Sequence, residues 1–393
     1  MPSVLVADAV RTPMGKMNGA YSLTPATALG ARAVAGLLSR TKVDPKSVKH
    51  VIMGNVLTAG LGQNPARQVA LGAGLPHTVS AFQVGMVCGS GMKAVHCAVQ
   101  AIKSGAAEVV VAGGMESMTR APHFLPGSRL GYRLGNVEAV DSMIHDGLLC
   151  AFEHVHMGCT GDHIAKKFKI SRLEQDEFAL ASHGKAVRAI DAGRFAHEIV
   201  PVEVDLGKGK KALVELDEGP RRDTSLEKLQ RLSPTFTHDG TVTAGNASQI
   251  SDAASALLLM SEDAASTLSL KPLGRIVDYD DSGVAPMDVM IGPVEAMKAV
   301  LKRNDVKPQD LPLLEENEAF AAQTLAVLRE VPIALDHTNV HGGAVALGHP
   351  IGMSGARILT TLLWAMRQRQ EAQGMAAMCL GGGNGLATLV EAV

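Results

Sequence analysis

Cys88 is the side chain whose neighbours most strongly indicate covalent chemistry. It directly precedes Gly89-Ser90-Gly91 and a run with helical periodicity, so the free amides and dipole of a first helical turn are predicted to favour its thiolate. The adjacent glycines leave room for a substrate carbonyl to reach the backbone amides. The sequence therefore predicts a nucleophile here, with a buried cysteine in a tight turn as the alternative.

Three further positions hold the kinds of group that acyl transfer needs. His349 lies in residues 342–355, where five glycines and a proline indicate a rigid, functional loop. Asn317 follows an apolar strand, where the sites of α/β proteins collect, although an asparagine there also caps helices. Cys379 ends what is predicted to be the last strand and leads into Gly381-Gly382-Gly383, although a lone strand cysteine also fits an inert core.

Together these four residues suit thioester chemistry. Two cysteines, one histidine and one asparagine without a metal-ligand spacing provide one thiol to take an acyl group and a second acid/base to move a proton. The remaining groups supply donors for oxyanions. The four residues are predicted to converge on one site.

The elements that must position these residues occur twice along the chain. The helix after Cys88 has one apolar face, formed by Val95, Ala98, Val99 and Ile102, and Gly105 is placed to end it. Ser90-Gly91-Met92-Lys93 opens this helix, and Ser354-Gly355-Ala356-Arg357 opens a second one.

Strands flank both predicted helices in the same order. Each helix leads to an apolar strand ending in glycines, at residues 109–114 and 378–383, and the upstream strands 51–55 and 313–317 also correspond. A separation of roughly 260 residues is too long for a solenoid repeat and fits two fused homologous halves. Chance similarity between α/β units is the alternative.

The chain is predicted to be an α/β protein with three parts. Apolar, β-branched strands alternate with helical patterns, as in folds with buried strands. The N-terminal half is predicted at residues 1–118, completed by about residues 247–270, and the C-terminal half at residues 271–393. Between them, residues 119–246 form an inserted loop domain that is expected to cover the site or to act as an oligomer arm.

Composition excludes several classes of function. The 393 residues contain 37 Lys plus Arg against 39 Asp plus Glu, so no basic surface for nucleic acid is predicted. No apolar run reaches the roughly 18 residues that span a membrane, and no secretory leader is evident, so a cytoplasmic protein is expected. The five scattered cysteines predict neither a disulfide framework nor a metal site.

Four segments resemble the signatures of the thiolase family, in the family's order. They are Cys88-Gly89-Ser90-Gly91, Asn317-Glu318-Ala319-Phe320-Ala321, residues 342–357 and Cys379-Leu380-Gly381-Gly382-Gly383. Further similarity extends over essentially the whole chain. Residues 141–158 are most similar to the biosynthetic acetyltransferase branch, in which two acetyl-CoA molecules give acetoacetyl-CoA and CoA.

The resemblance implies a fold and an assembly. Thiolases have duplicated βαβαβαββ halves in a layered α/β/α/β/α arrangement, with a loop domain inserted, and are usually tetramers built as dimers of dimers. We therefore expect a homotetramer that uses coenzyme A thioesters as substrates and needs no other cofactor.

The resemblance also implies roles for individual residues. Cys88 is the acylated nucleophile, His349 takes its proton, and Cys379 removes the α-proton of the second acetyl-CoA or protonates departing CoA. One oxyanion hole is expected from His349 and a water held by Asn317, and the other from the amides of Cys88 and Gly381. The residues expected along CoA are His156, Arg221 and Ser248, and those expected near the acyl group are Met157, Phe236 and Phe320.

Several positions depart from the family pattern. Gly85 stands where thiolases commonly have Asn, Asn384 replaces a usual Met, Gln249 stands where Gly is frequent, and Val289 falls where a pocket Met is expected. These departures affect the expected selectivity for acyl-chain length. A pocket distinguishes two substrates that differ by one methylene by only about 1–3 kcal/mol, so small changes in its wall matter. The alternatives are a 3-ketoacyl-CoA thiolase for longer chains and an inactive thiolase-like binding protein.

Overall fold

The computed structural model describes residues 3–393. The β-strands in that range are β1 (Val4–Arg11), β2 (Gly15–Lys16), β3 (His50–Gly54), β4 (Ser80–Val84), β5 (Val109–Ser117), β6 (His123–Phe124), β7 (Val140–Asp141), β8 (Val202–Asp205), β9 (Lys211–Val214), β10 (Ser251–Ser261), β11 (Gly274–Gly283), β12 (Leu314–Glu316), β13 (Gln373–Leu380) and β14 (Asn384–Glu391).

Helices connect these strands. The α-helices are α1 (Ala26–Thr41), α2 (Pro65–Gly72), α3 (Ser90–Lys103), α4 (Met157–Lys167), α5 (Arg172–Asp191), α6 (Leu226–Gln230), α7 (Glu262–Thr267), α8 (Pro293–Arg303), α9 (Ala321–Glu330), α10 (Ala344–Leu347) and α11 (Ser354–Arg369). Short 3-10 helices lie at Pro45–Ser47, Ser128–Leu130, Pro286–Ile291 and Pro308–Asp310, and a π-helical segment lies at Met143–Leu148.

The main sheet contains two sets of strands with the same pairing pattern. In the first set β3 is parallel to β5, and β5, β10 and β1 then pair antiparallel in that order. In the second set β12 is parallel to β13, and β13, β14 and β11 pair antiparallel in that order. The sets meet where β1 pairs with β11, and β4 extends the first set at its free edge. This topology is the one expected from a duplicated chain.

The helices and strands stack in five layers. The central layer is α3 and α11, whose buried residues form one cluster with inward-facing residues of both strand sets. The outer face of the first set packs against α1 and α2, and that of the second set packs against α8 and α9. The α/β/α/β/α arrangement predicted from the sequence is therefore confirmed.

The two central helices approach each other closely at their N-terminal ends because both begin with Ser-Gly. A Cβ on Gly91 would lie 2.9 Å from the backbone N of Ala356, and one on Gly355 would lie 2.5 Å from that of Met92. Larger side chains at these two positions would force the helices apart. The loops that precede the helices, which hold Cys88 and His349, are brought together by this contact.

Two details of the end of the chain differ from the sequence prediction. The strand containing Cys379 continues to Leu380, and it is not the last strand, because β14 follows after a turn of only three residues. The corresponding connection in the first set, between β5 and β10, spans residues 118–250 and contains β6 to β9 and α4 to α6. Within residues 3–393, no helix has the length and apolar character needed to cross a membrane.

Candidate active site

A cavity of about 530 Å³ opens where the loops before α3 and α11 meet the C-terminal end of β13. It brings together all but one of the residues that the sequence singled out. The predicted residues in its wall are Cys88, His156, Met157, Arg221, Phe236, Ser248, Phe320, His349, Cys379 and Gly381. The exception, Asn317, is fully buried behind His349.

Cys88 lies in a strained turn that the sequence did not reveal. The preceding residue, Val87, has φ +43°, which is unfavourable for a β-branched side chain. Ser90 holds the turn, because its hydroxyl accepts from the amide of Met86 at 2.8 Å and donates to the carbonyl of Val87 at 2.7 Å. The Cys88 side chain after this turn lines the cavity.

The N-terminal turn of α3 does not make Cys88 a thiolate in the free protein. Burial raises the pKa of this thiol to about 11, and the nearby charge of Glu116 raises it further. The backbone amides of Gly381 and of Cys88 itself act in the opposite direction, because they donate toward the sulfur. Desolvation outweighs these donors, and the resting group is a thiol.

The hydrogen bonds of His349 define its tautomer. The hydroxyl of Ser354 donates to the carbonyl of Pro350 at 2.9 Å, so its oxygen accepts from Nδ1–H of His349 at 2.6 Å. Nε2 is then the unprotonated nitrogen, and it lies 3.5 Å from Nδ2 of Asn317. Burial, followed by the charge of Arg357, lowers the pKa of His349 to about 3, so the ring is a neutral proton acceptor.

Asn317 has a free acceptor behind this histidine. Its Oδ1 is buried and has no hydrogen-bond partner among residues 3–393. Its backbone amide donates to the carbonyl of Ala377 at 3.0 Å, which fixes it to β13 at the end of β12. The amide group is suited to hold a water beside Nε2 of His349.

Cys379 lines the same cavity at the end of β13. It is buried, and burial together with the charges of Glu316 and Cys88 raises its pKa well above the ordinary value for a thiol. The following turn uses positive φ at Gly382 (+85°) and Gly383 (+88°), which other residues rarely adopt. This turn directs the amide of Gly381 toward the sulfur of Cys88.

Glu116 was not predicted as a site residue. It connects the loop after β3 with the loop before α11 that holds His349. Its carboxylate accepts from the amides of Val56, Leu57 and Gly352 at 3.0, 3.2 and 2.9 Å, and from the side chain of Asn55 at 2.6 Å. Burial raises its pKa to about 7. The local sequence gives no signal for this connecting role of Glu116, because its partners lie far away along the chain.

One of the departures from the family pattern also has a structural role. The side-chain amide of Gln249 donates to the carbonyls of Gly219, Val345 and Ala346 at 2.9–3.1 Å, and its backbone carbonyl accepts from the amide of His349 at 2.9 Å. Gln249 therefore fixes the histidine loop to the inserted segment. Val289 lines the cavity, whereas Gly85 and Asn384 lie outside its wall.

The inserted segment covers the cavity with an aromatic stack. His156, whose ring accepts from the amide of Gly158 as the N-cap of α4, is stacked on Phe236 with ring centroids 4.6 Å apart. Burial lowers the pKa of His156, so its ring is neutral. Phe236 in turn meets Phe320 edge-on at 6.1 Å. Arg221 supplies a cation at the mouth of the cavity.

Within residues 3–393 no group of three or more His, Cys, Asp or Glu side chains is arranged to hold a metal ion. The cavity wall holds two thiols, the imidazoles of His156 and His349, the cations Lys16 and Arg221, a few neutral polar side chains and many apolar ones. Such a wall fits an acyl thioester with cationic contacts for an anionic substrate tail.

Comparison with known families gives two matches that cover nearly the whole chain. The model of the thiolase N-terminal domain matches residues 4–263, and the model of the thiolase C-terminal domain matches residues 270–392.

Individual relatives are similar over their full lengths. An acetyl-CoA acetyltransferase from Thiocystis violacea is 49% identical over 389 residues, covering 99% of each chain. A probable acetyl-CoA acyltransferase from Staphylococcus epidermidis is 48% identical over 391 residues, covering 100% of this chain and 99% of that one. The crystal structure of the Bacillus anthracis acetyl-CoA acetyltransferase superposes with a TM-score of 0.98 at 41% identity, covering 100% of this chain and 99% of that one.

Proposed function

Because this chain belongs to the thiolase family, we propose that it is an acetyl-CoA acetyltransferase, an acyltransferase that reversibly joins two acetyl-CoA into acetoacetyl-CoA and CoA. The observation that supports this most directly is the convergence of Cys88, Cys379, His349 and the Gly381 amide on one cavity. The reaction proceeds through an acetyl-Cys88 intermediate with ping-pong kinetics.

In the first half-reaction, Nε2 of His349 takes the proton of the Cys88 thiol, and the sulfur attacks the carbonyl carbon of acetyl-CoA. The resulting oxyanion accepts from the amides of Cys88 and Gly381. When the tetrahedral intermediate collapses, the thiol of Cys379 gives its proton to the departing CoA sulfur. The half-reaction leaves acetyl-Cys88, a His349 imidazolium, a Cys379 thiolate and free CoA.

In the second half-reaction, the Cys379 thiolate takes an α-proton from a second acetyl-CoA. The enolate oxygen is stabilised by Nε2–H of His349 and by the water that Asn317 holds. The enolate carbon attacks acetyl-Cys88, and collapse expels the Cys88 sulfur, which takes back its proton from His349. Both thiols are restored, so the raised pKa values of Cys88 and Cys379 fit the resting state of this cycle.

Substrate binding involves the inserted segment. We propose that His156, Arg221 and Ser248 lie along CoA, and that Met157, Phe236 and Phe320 contact the acyl group, because all six line the same cavity. CoA thioesters are the substrates, and the site residues need no further cofactor for these steps.

Longer acyl chains are the second candidate substrate. Val289 and Met290 add apolar surface to the cavity wall, and one relative at 48% identity is named a probable acetyl-CoA acyltransferase. Thiolysis of acetoacetyl-CoA and of a ketodecanoyl-CoA distinguishes the two substrates. We expect a higher kcat/KM with acetoacetyl-CoA, and a preference for the longer chain would assign the degradative activity instead.

We further propose that the protein is a cytoplasmic homotetramer that functions in fatty acid metabolism. The segment between β6 and β7 exposes apolar side chains, of which Leu130 and Leu134 are 94% and 100% exposed, and such surfaces favour contacts between subunits. The edge strand β4 also has an unpaired side with Phe82 exposed. Light scattering of the purified protein tests the assembly by its mass.

The proposed activity predicts that acetyl-CoA leaves an acetyl group on Cys88. Intact-mass and peptide analysis after incubation with acetyl-CoA should show one acetyl adduct per chain, located at Cys88. Cys88→Ser should abolish the adduct, whereas the control Cys97→Ser should retain it, because Cys97 lies away from the cavity on α3. A folded wild-type protein without the adduct would instead favour an inactive binding protein.

A further inference from the structure

Glu316 is a fully buried carboxyl for which the proposed mechanism has no step. It is the last residue of β12, and its side chain accepts from the hydroxyl of Thr324 at 2.6 Å and from the side-chain amide of Gln323, both on α9. No cation lies within salt-bridge distance of it among residues 3–393. Burying a carboxyl group without a cation costs folding free energy, so the presence of Glu316 at this position needs an explanation.

The neighbouring carboxyls are compensated differently. Glu315 pairs with Arg357 on α11 at 3.1 Å, on the opposite face of the strand. Glu318 accepts from Ser182, Asn339 and the amide of Val345 at 2.7–3.1 Å. Glu316 and Glu318 thus both have only neutral donors, and Glu316 has the fewer of them, two against three.

The register of the sheet places Glu316 beside Cys379. β12 and β13 are parallel with Glu316 opposite Ala377, and side chains two residues apart on a strand point to the same face. The core confirms this alternation, because Leu314 and Ala377 pack in one cluster and Met378 packs in another. From strand spacing and rise, the Cβ atoms of Glu316 and Cys379 are about 8 Å apart on that face.

The electrostatics agree with this geometry. After burial, the charge of Glu316 is the largest cause of the raised pKa of Cys379, followed by Cys88. Burial and the charges of Glu318 and Glu315 raise the pKa of Glu316 itself to about 8. The charge of Glu316 therefore disfavours ionisation of Cys379.

Other titratable groups around the pair do not neutralise it. Neutral His349 lines the same cavity, and neutral His156 caps α4. Asp288, in the 3-10 helix that packs on α4 and α9, is paired with His163 and Lys167 near the surface. Among the charges around Cys379, that of Glu316 raises its pKa most.

We propose that Glu316 is a positioning residue for proton transfer, whose ionised form is a like charge beside Cys379 and holds that residue as a thiol until the departing CoA takes its proton. Because the pKa of Glu316 is about 8, this form predominates above that pH. The inference rests on the proposed acyl transfer. The same repulsion makes the Cys379 thiolate a stronger base for the α-proton of the second substrate. Glu316 touches no substrate atom and acts through Cys379 alone.

The test compares Glu316→Gln with the wild type by the pH dependence of Cys379 alkylation with iodoacetamide, followed by peptide mass spectrometry. Glutamine keeps the size of the side chain and removes its charge, so the alkylation midpoint of Cys379 should move to lower pH by about one unit or more. The midpoint of Cys88 in the same digest is the internal reference and should stay unchanged. Glu330→Gln, an exposed change on α9, is the matched control.

Two kinetic measurements distinguish an effect of Glu316 on the proton affinity of Cys379 from a purely structural role. Both readouts are measured at pH 9, where Glu316 is ionised in the wild type. Condensation should fall several-fold in Glu316→Gln because Cys379 is a weaker base for the α-proton. Exchange of labelled CoA into acetyl-CoA uses only the first half-reaction and should fall less, because a weaker base is also a stronger acid for the departing CoA. If Glu316→Gln does not fold, Thr324→Val replaces it. Loss of the Thr324 hydroxyl raises the proton affinity of Glu316 and should give a smaller shift in the same direction.

An unchanged Cys379 midpoint in a folded variant, or an equal loss of exchange and condensation, would overturn the proposal. Acetylation of wild-type Cys88 by acetyl-CoA is measured in parallel. Failure of that acetylation contradicts the proposed function, whereas a normal adduct with an unshifted Cys379 contradicts the role of Glu316 alone.

Discussion

At the scale of single residues, opposing effects on Cys88 determine its protonation state. The start of α3 and the amide of Gly381 both favour a thiolate, but removal of the sulfur from water favours the thiol more strongly. The neutral imidazole of His349 cannot offset this, because burial disfavours its own charged form. The resting pair is therefore uncharged, and charge separation develops only with substrate bound.

This state predicts an alkylation profile for Cys88. With a pKa of about 11, only about one sulfur in ten thousand is ionised at pH 7, so the rate with iodoacetamide should rise roughly tenfold per pH unit from pH 7 to 10. Free cysteine, with a pKa of about 8.5, should level off above pH 9 under the same conditions. A Cys88 rate that is already constant near pH 7 would show a preformed thiolate–imidazolium pair and contradict the prediction.

The sequence identified the reactive side chains but not the contacts that set their conformation and protonation. Cys88, His349 and Cys379 were identifiable because glycines flank each of them, and a close approach of backbone requires those glycines. The strain at Val87 and the tautomer of His349 were not predictable. Both depend on contacts with Ser90 and Ser354 that a hydroxyl makes only in the folded turn. The roles assigned to the site residues stay predictions.

At the scale of elements, the Glu116 carboxylate connects the end of β5 with the loop after β3 and the loop before α11. Four N–H groups donate to it, so Glu116→Gln turns an NH₂ group toward donors and should cost about 1–3 kcal/mol of stability. Because Gly352 follows His349 closely, kcat should fall about 10- to 100-fold. Unfolding curves and steady-state kinetics measure the two effects.

The pH dependence of the same variant provides a second check on Glu116. Its pKa is about 7, raised by burial, so protonation below that pH places an O–H among the donors, and wild-type kcat should fall there. Glu116→Gln should lack this decline, while the exposed control Glu108→Gln should behave as the wild type. A decline that persists in Glu116→Gln would assign it to another group.

Sequence periodicity predicted the bounds of α3 well but did not separate all the strands. The apolar stripe of α3 and the glycines at its start are local signals, and the observed bounds agree with them. β14 was missed as a separate strand because only three residues separate it from β13, and β4 has a largely exposed pattern without an apolar face. Strand pairing across the chain, such as β1 with β11, depends on tertiary packing that no local pattern encodes.

At the scale of the whole molecule, the two strand sets are joined through α3, and His96 lies at this junction. The residue is fully buried, its Nε2 is 2.8 Å from Oγ1 of Thr388 on β14, and its ring is stacked on Tyr279 of β11 at 4.3 Å. It therefore connects a helix of the first half to two strands of the second. Burial, followed by the charge of Lys93, lowers its pKa to about 3.

The sign of the resulting pH effect follows from this shift. An unfolded histidine has its ordinary pKa of 6.5 and binds a proton that the folded state excludes. The contribution of neutral His96 to stability is therefore complete above pH 6.5 and is lost as pH falls toward about 3. The loss approaches about 1.4 kcal/mol per pH unit in that window.

His96→Phe tests this contribution, because phenylalanine preserves the stacking on Tyr279 but does not titrate. At pH 7.5 the variant should be less stable by about 1–3 kcal/mol, since Thr388 loses its partner in a buried site. Between pH 6.5 and 4.5 the difference from wild type should shrink by about 2 kcal/mol, because only the wild type must exclude a proton from this site. Urea unfolding followed by the fluorescence of Trp364, the single tryptophan, measures both effects. The control His238→Gln, at a 98% exposed side chain, should show no such pH dependence. A difference between His96→Phe and wild type that stays constant with pH would mean that burial of neutral His96 does not contribute to the loss of stability in acid.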